Sequence, residues 1–469
     1  MKKAKQYGRE LKAGMCFLKK ILVSCLLFFL FNGFSAYALE KNTAEEDIQS
    51  RIDGYLQQLT EEKKFSGTVL IAKEGKILFQ KGYGMANYEF NVGNTPDTKF
   101  QVGSITKQFT AMAILQLAEK GALDIQDPVS KYFPEYPNGE KITIHHLLTH
   151  RSGIWDYTHD IDFLAHAKRS WSPQEIVSLF QGKPFSFPPG QKNEYSNSNY
   201  VLLGLIIEKV SGMPYEEYLS KNILQPSNMH DSGYGDNKKI LQKRASGYIM
   251  NMEQIENAPF MDPSYVYAAG AMYATVQDLY RWDQMLYTEK LLSKAYLDRM
   301  FTPDPGGYGY GWKIKKWNGY QHIYHDGEYS GFASQISRFP EQQAVIITLS
   351  NFYHAPVDEI NTKLAEILFG KESQKSEKKE IELEPQLYQE YIGKYQFSIG
   401  VLEIIEKNGK LYAKIQGENL NLRLVPQNEK TFLVEGTGAR LVFVKDSSGK
   451  ASEVIGYLNG KKLIGKKIF

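Results

Sequence analysis

Cysteine is the scarcest residue of this chain: Cys16 and Cys25 are the only two among 469 residues, and both fall within the first 38. Beyond that point the chain has no thiol, which excludes cysteine nucleophiles, thiolate metal sites and disulfides. A thiol-free chain suits an oxidising exterior and must be held by its core alone. A dominant sign of charge is missing too, with 56 Lys and Arg against 53 Asp and Glu. Seven of those basic residues, and of the acidic ones only Glu10, precede residue 39, so the remainder carries a net charge of −3 and offers nothing to nucleic acid. No apolar run reaches the roughly 20 residues of a comfortable transmembrane helix. The strongest run, Ile21 to Phe31, follows a lysine-rich start and precedes Ala36-Tyr37-Ala38. Basic stretch, apolar run and small-residue cleavage pattern read as a secretory signal over 1–38, with Met15 an alternative start. Leu22-Val23-Ser24-Cys25 resembles a lipoprotein box, but the apolar run continues past Cys25 instead of preceding it, so lipidation is discounted.

What is present is an ordinary globular composition, 42% hydrophobic and 23% charged, over a length that exceeds one usual core. The stretch that organises it is Gly103-Ser104-Ile105-Thr106-Lys107. Apolar residues at Phe109, Met112, Ala113, Leu115, Leu117 and Ala118, closed by Gly121, predict an amphipathic helix with a glycine C-cap. Ser104 then stands at its N-terminus, with Lys107 one turn on and on the same face. A serine hydroxyl needs a base, and a lysine amine serves if burial or a neighbouring cation keeps it neutral. The same residues also fit a plain N-cap followed by a solvated lysine, and S-x-x-K recurs at Ser376 and Ser447, with no helix pattern behind it.

In chain order, residues 45–58 read as a helix and Phe65–Ile71 with Lys76–Gln80 as a hairpin around Glu74-Gly75. His145, His146 and His150 fall on or beside a short helix; the spacing of the last two suits a metal, but the glutamate of H-E-x-x-H is missing and core niches account for them. Ser172-Pro173-Gln174-Glu175 is a capping box. Asn199 is expected to cap a helix from Tyr200 to Val210. Residues 227–262 read as loop, Thr275 opens another helix, and Phe332–Phe339 and Ala344–Ser350 read as strands before a last helix to Phe369. The expected fold is α/β (α+β): an antiparallel sheet shared by the first and last strands, flanking helices, and a helical lobe across a cleft. It spans 39–370. A charged linker, 371–385, and a small all-β domain over 386–469 follow, the latter marked by alternating strands around Asn408-Gly409.

Two further motifs border the expected cleft, Tyr195-Ser196-Asn197 on a loop and His325-Asp326-Gly327 beside a late strand. With S-x-x-K, Y-x-N and H-x-G in this order, and with Leu147-Leu148-Thr149-His150-Arg151-Ser152-Gly153, residues 45–370 resemble the serine beta-lactamase-related family of low-molecular-weight penicillin-binding proteins, D-Ala-D-Ala carboxypeptidases, class C beta-lactamases and allied esterases. The trailing domain resembles the lipocalin-like barrel of penicillin-binding protein E-type members. The resemblance implies Ser104 as the acylated nucleophile, with Lys107 or Tyr195 as the base, and Asn197 on the substrate amide. It places His325 where many relatives carry a lysine, Gly327 beside the substrate, and the backbone N–H groups of Ser104 and Glu328 as an oxyanion hole. The implied partners are peptidoglycan stem peptides, beta-lactams or small esters, with no nucleic acid, and with peripheral association with membrane or cell wall left open. Nothing calls for a metal or organic cofactor.

Overall fold

The computed structural model describes residues 45–160, 163–252, 254–371, 381, 383–397, 400–415, 421–435, 439–447, 449–458 and 461–468. The expected signal segment and most of the expected linker lie outside these residues. Residues 45–61 are helical.

A six-stranded antiparallel sheet carries the main unit. Its strands are β1 (Gly67–Lys73), β2 (Lys76–Tyr83), β3 (Lys313–Trp317), β4 (Tyr320–Tyr329), β5 (Phe332–Phe339) and β6 (Ala344–Ser350), in the spatial order β3-β4-β5-β6-β1-β2. The first strands thus do pair with the last, Gly67 opposite Ser350 and Lys73 opposite Ala344. β5 and β6 are buried along their whole length, and β1 along all but Lys73; β1 and β6 are rich in β-branched residues, as suits strands covered on both faces, whereas β5 has only Ile336. Helices α3 (Val276–Met285) and α4 (Val357–Phe369) pack on this sheet. Arg338 of β5 and Asp283 of α3, both fully buried, form an ion pair at 2.5 Å between the two layers.

Helix α1 (Thr106–Glu119) starts from a 3-10 turn, Gly103–Ile105, and ends at Gly121 with φ +69°. The expectation of an amphipathic helix is corrected: every residue from Thr106 to Ala118 is buried. α1 runs through the middle of the unit, packed against α2 (Asn197–Ser211), the short helix Tyr267–Gly270 and helix Lys294–Met300. Several of its polar side chains are bonded internally. Gln108 accepts from the Trp282 indole at 2.9 Å, and Thr110 donates to the Ala268 carbonyl at 2.7 Å. A helix buried all round loses the polar face that water would otherwise dictate.

Three other expectations shift. α2 begins at Asn197 rather than after Asn199, because Asn199 is bonded to Ser152 at 2.5 Å instead of capping the helix. Within 227–262 the chain forms an antiparallel pair, Tyr248–Asn251 with Gln254–Asn257. His325-Asp326-Gly327, expected beside a late strand, lies inside strand β4.

Beyond residue 392, eight strands from Gly393–Phe397 to Lys461–Lys467 pair in chain order and close on themselves, Tyr395 opposite Lys467. This is an up-and-down barrel. Tyr391, Tyr395, Phe432 and Phe443 fill one end, their ring centroids 4.8 to 5.8 Å apart.

Candidate active site

The nucleophile turn abuts strand β4 backbone to backbone. Two glycines permit this. A Cβ on Gly103, whose φ is +51°, would stand 2.3 Å from the Glu328 carbonyl oxygen, and a Cβ on Gly327 would stand 2.0 Å from the Val102 carbonyl oxygen and 3.0 Å from the Ser104 nitrogen. The backbone nitrogens of Ser104 and Glu328 are thereby brought to the same edge. Val102 donates its N–H to Met272 at 2.9 Å, and Thr106 donates its hydroxyl to the Gly103 carbonyl at 2.7 Å, so the turn is held from both sides. Gly327→Ala is therefore expected to lower stability by about 2–3 kcal/mol, as overpacking against backbone does. Urea unfolding followed by tryptophan fluorescence checks it, because Trp155, Trp171, Trp282, Trp312 and Trp317 all lie in this unit. An unchanged midpoint would mean the turn yields freely.

Ser104 Oγ sits between two groups. Lys107 Nζ is 2.9 Å away and Tyr195 Oη is 2.7 Å away. The lysine is fully buried, whereas Ser104, Tyr195 and Asn197 are partly open to solvent. Lys107 Nζ also donates to Asn197 Oδ1 at 2.8 Å and to the Ala269 carbonyl at 2.7 Å. Burial pushes its pKa down to about 7, Asp156 and Asp326 opposing and Lys313 assisting. Burial has the opposite effect on the Tyr195 phenol, which is held well above its ordinary value. Opposite shifts from one cause follow because burial disfavours the charged form of each group.

Asn197 is a bridge. Its Oδ1 accepts from Lys107, while its Nδ2 donates to Asp156 at 3.1 Å and to Thr158 at 3.1 Å. Both amide donors are thus used within the protein, which leaves only a lone pair of Oδ1 for a substrate N–H.

His325 departs furthest from expectation. It is buried; its Nδ1–H donates to the Asp326 carbonyl, and its Nε2 accepts from the Tyr308 hydroxyl at 2.8 Å. Burial pulls its pKa down to about 3, so the ring is neutral and has no free nitrogen for a substrate carboxylate. The cation on this edge is instead Lys313 of β3, partly exposed and paired with the Asp326 carboxylate. Burial works against Asp326, yet the Lys313 ammonium prevails and holds its pKa at about 2.

Sequence reasoning missed Asp156, Tyr308 and the local role of His150. Asp156 has no motif around it. Tyr308 lies in Gly307-Tyr308-Gly309-Tyr310-Gly311, an alternation that was there to be noticed. His146 and His150, read as a spacing compatible with metal, diverge: His146 closes a capping box on Thr143, while the His150 ring lies 4.3 Å from that of Tyr195. His150 Nδ1 accepts the Ser196 N–H at 3.1 Å, which fixes the backbone beside Tyr195. Among the described residues no group of three His, Cys, Asp or Glu converges as a metal site would require.

Comparison with known proteins gives the family. The Beta-lactamase family profile matches residues 52–369. A protein of Bacillus subtilis (strain 168), provisionally named penicillin-binding protein PbpX, is 34% identical over 331 residues, covering 70% of this chain and 81% of its own. The octameric penicillin-binding protein homologue from Pyrococcus abyssi superposes with a TM-score of 0.64 at 29% identity, covering 88% of this chain and 99% of its own. A D-amino acid amidase from Ochrobactrum anthropi superposes with a TM-score of 0.62 at 25% identity, covering 69% of this chain and 99% of its own. The chain belongs to the beta-lactamase family of serine hydrolases built on the penicillin-binding-protein fold.

Proposed function

We propose that the protein is an exported penicillin-binding D-peptidase of the D-Ala-D-Ala carboxypeptidase type, which forms an acyl-enzyme through Ser104 on cell-wall stem peptides. The observation that carries this reading is the placement of Ser104 Oγ within hydrogen-bond reach of both Lys107 Nζ and Tyr195 Oη at the open edge of β4. In this scheme neutral Lys107 takes the hydroxyl proton as Ser104 attacks the acyl carbon. The Ser104 and Glu328 N–H groups receive the oxyanion. Tyr195 protonates the leaving amine and regains a proton from Lys107. The neutral Lys107 then takes a proton from the water that attacks the ester and returns it to Ser104 as the acyl group leaves. Lys313 supplies the charge for a terminal carboxylate. Export rests on the basic and apolar pattern of residues 1–38.

A second reading, an amidase or esterase of the same chemistry, is favoured by one observation. With His325 occupied and Lys313 already neutralised by Asp326, the edge offers little free positive charge to a carboxylate. The amidase among the structural neighbours is in keeping with it.

Intact-protein mass spectrometry after brief exposure to benzylpenicillin, with Ser104→Ala alongside, tests the first reading. A persistent adduct that maps to Ser104 and is absent from the variant is expected. Drug loss without an adduct would point to a beta-lactamase. If neither occurs, hydrolysis of a D-amino acid amide but not of a D-Ala-D-Ala peptide would establish the second reading. No turnover of any amide, peptide or ester would leave a binding protein.

A further inference from the structure

Near the C-terminal end of α2, Trp171, Tyr215, Tyr234 and Tyr267 line a cavity of about 190 Å³ together with Glu208 and Glu216. The rings meet at angles: Tyr215 and Tyr234 are edge to face at 6.1 Å, and Tyr234 and Tyr267 at 6.4 Å. Facing rings set crosswise form walls that present π-electron density inward from several directions. No basic side chain lines this cavity among the described residues.

The charges of the two carboxylates are met differently. Glu216 pairs with Lys239 at 2.6 Å. Glu208, half-buried on α2, accepts the Tyr215 N–H at 3.0 Å and has no cation beside it among the described residues. The Tyr267 hydroxyl is buried and faces the Glu208 carboxylate, and burial followed by that carboxylate pushes its pKa up. Trp171 already attracts positive charge: the Arg169 guanidinium lies 3.7 Å over its ring. An aromatic wall beside a carboxylate that meets only a backbone N–H and a phenol is the chemistry that attracts a cation with an apolar surface.

We propose that this cavity binds a small quaternary ammonium group of the choline type. Trimethylammonium suits aromatic faces because its charge is spread over methyl groups and is cheaply stripped of water. The volume, below the roughly 300–1,000 Å³ of drug-sized pockets, suits a headgroup and not a large ligand. A Lys or Arg side chain would instead require hydrogen-bond acceptors for each N–H, which Glu208 alone does not supply.

Titration calorimetry of the full chain with choline chloride tests this, with 3,3-dimethylbutan-1-ol as the uncharged isostere. Saturable binding of choline is expected, with the alcohol at least about tenfold weaker, as loss of the cation–π and carboxylate attractions implies. Glu208→Gln, which keeps an acceptor for the Tyr215 N–H, should weaken choline about tenfold, and Tyr234→Ala should weaken it similarly. Phosphatidylcholine vesicles separate the sources. Cosedimentation abolished by Glu208→Gln assigns a lipid headgroup, and binding of free choline alone assigns a soluble one; either supports the site. No saturable heat up to about 50 mM choline, equal binding of the alcohol, or unchanged binding by Glu208→Gln would overturn it.

Discussion

Replacing Lys107 by methionine is expected to lower kcat/KM for an activated ester by about 1,000-fold, within the range of general-base contributions. The reason lies in how the three neighbours of its Nζ divide. Asn197 Oδ1 and the Ala269 carbonyl oxygen only accept hydrogen bonds, so a neutral amine spends both N–H groups on them and turns its lone pair to the Ser104 hydroxyl. A protonated amine donates to all three and has nothing left to receive a proton. The wild-type rate should therefore rise with pH through about 7, where Lys107 loses its proton, and then stay level. Neither histidine beside Tyr195 competes for that limb, because burial pulls His325 down to about 3 and holds His150 well below its ordinary value. Tyr195, held well above its ordinary value, should add no falling limb below pH 10. Methionine fills the same buried volume without an amine, and its residual rate should lose the limb. A wild-type profile that climbs only above pH 9 would instead make the Tyr195 phenolate the base.

Much of this site was legible because its residues are local. Ser104 and Lys107 share one turn of one helix, so their spacing alone brings hydroxyl and amine together. Tyr195 and Asn197 lie two residues apart at the start of α2, and Gly103 and Gly327 occupy positions where backbone must touch backbone. The features that stayed hidden depend on contacts distant in sequence. Asp156 reaches Asn197 across 41 residues, Tyr308 meets His325 across 17, and Lys313 pairs with Asp326 from a neighbouring strand. Strands β3 and β4 were unread for another reason. KIKKW and YQHIYHDGEY carry charged and polar residues at positions the fold covers only in part, so no clean period of two appears. α1 misled in the opposite sense: its real environment is apolar on every side, and its few polar residues suggested a wet face that does not exist.

Tyr195→Phe is expected to slow hydrolysis of a D-alanyl amide by about 100-fold while slowing an activated ester only a few-fold, since a good leaving group needs no proton. The asymmetry follows from where the phenol proton sits. Tyr195 Oη donates to Ser104 Oγ at 2.7 Å, and burial keeps the group protonated, so it acts as an acid and not as a base at neutral pH. Once Ser104 has attacked and its own proton has passed to Lys107, the phenol lies beside the new ester oxygen, within reach of a departing amine. Phenylalanine keeps the ring where His150, 4.3 Å away, and Lys107 Nζ, 4.8 Å from the ring centroid, hold it, so any loss reflects the missing hydroxyl and not a displaced side chain. The measurement is the amide-to-ester ratio of kcat/KM in the variant against wild type, at a pH where Lys107 is neutral. A ratio that does not change would mean that the leaving group takes its proton from Lys107, and that a single amine serves both as base in the attack and as acid in the collapse.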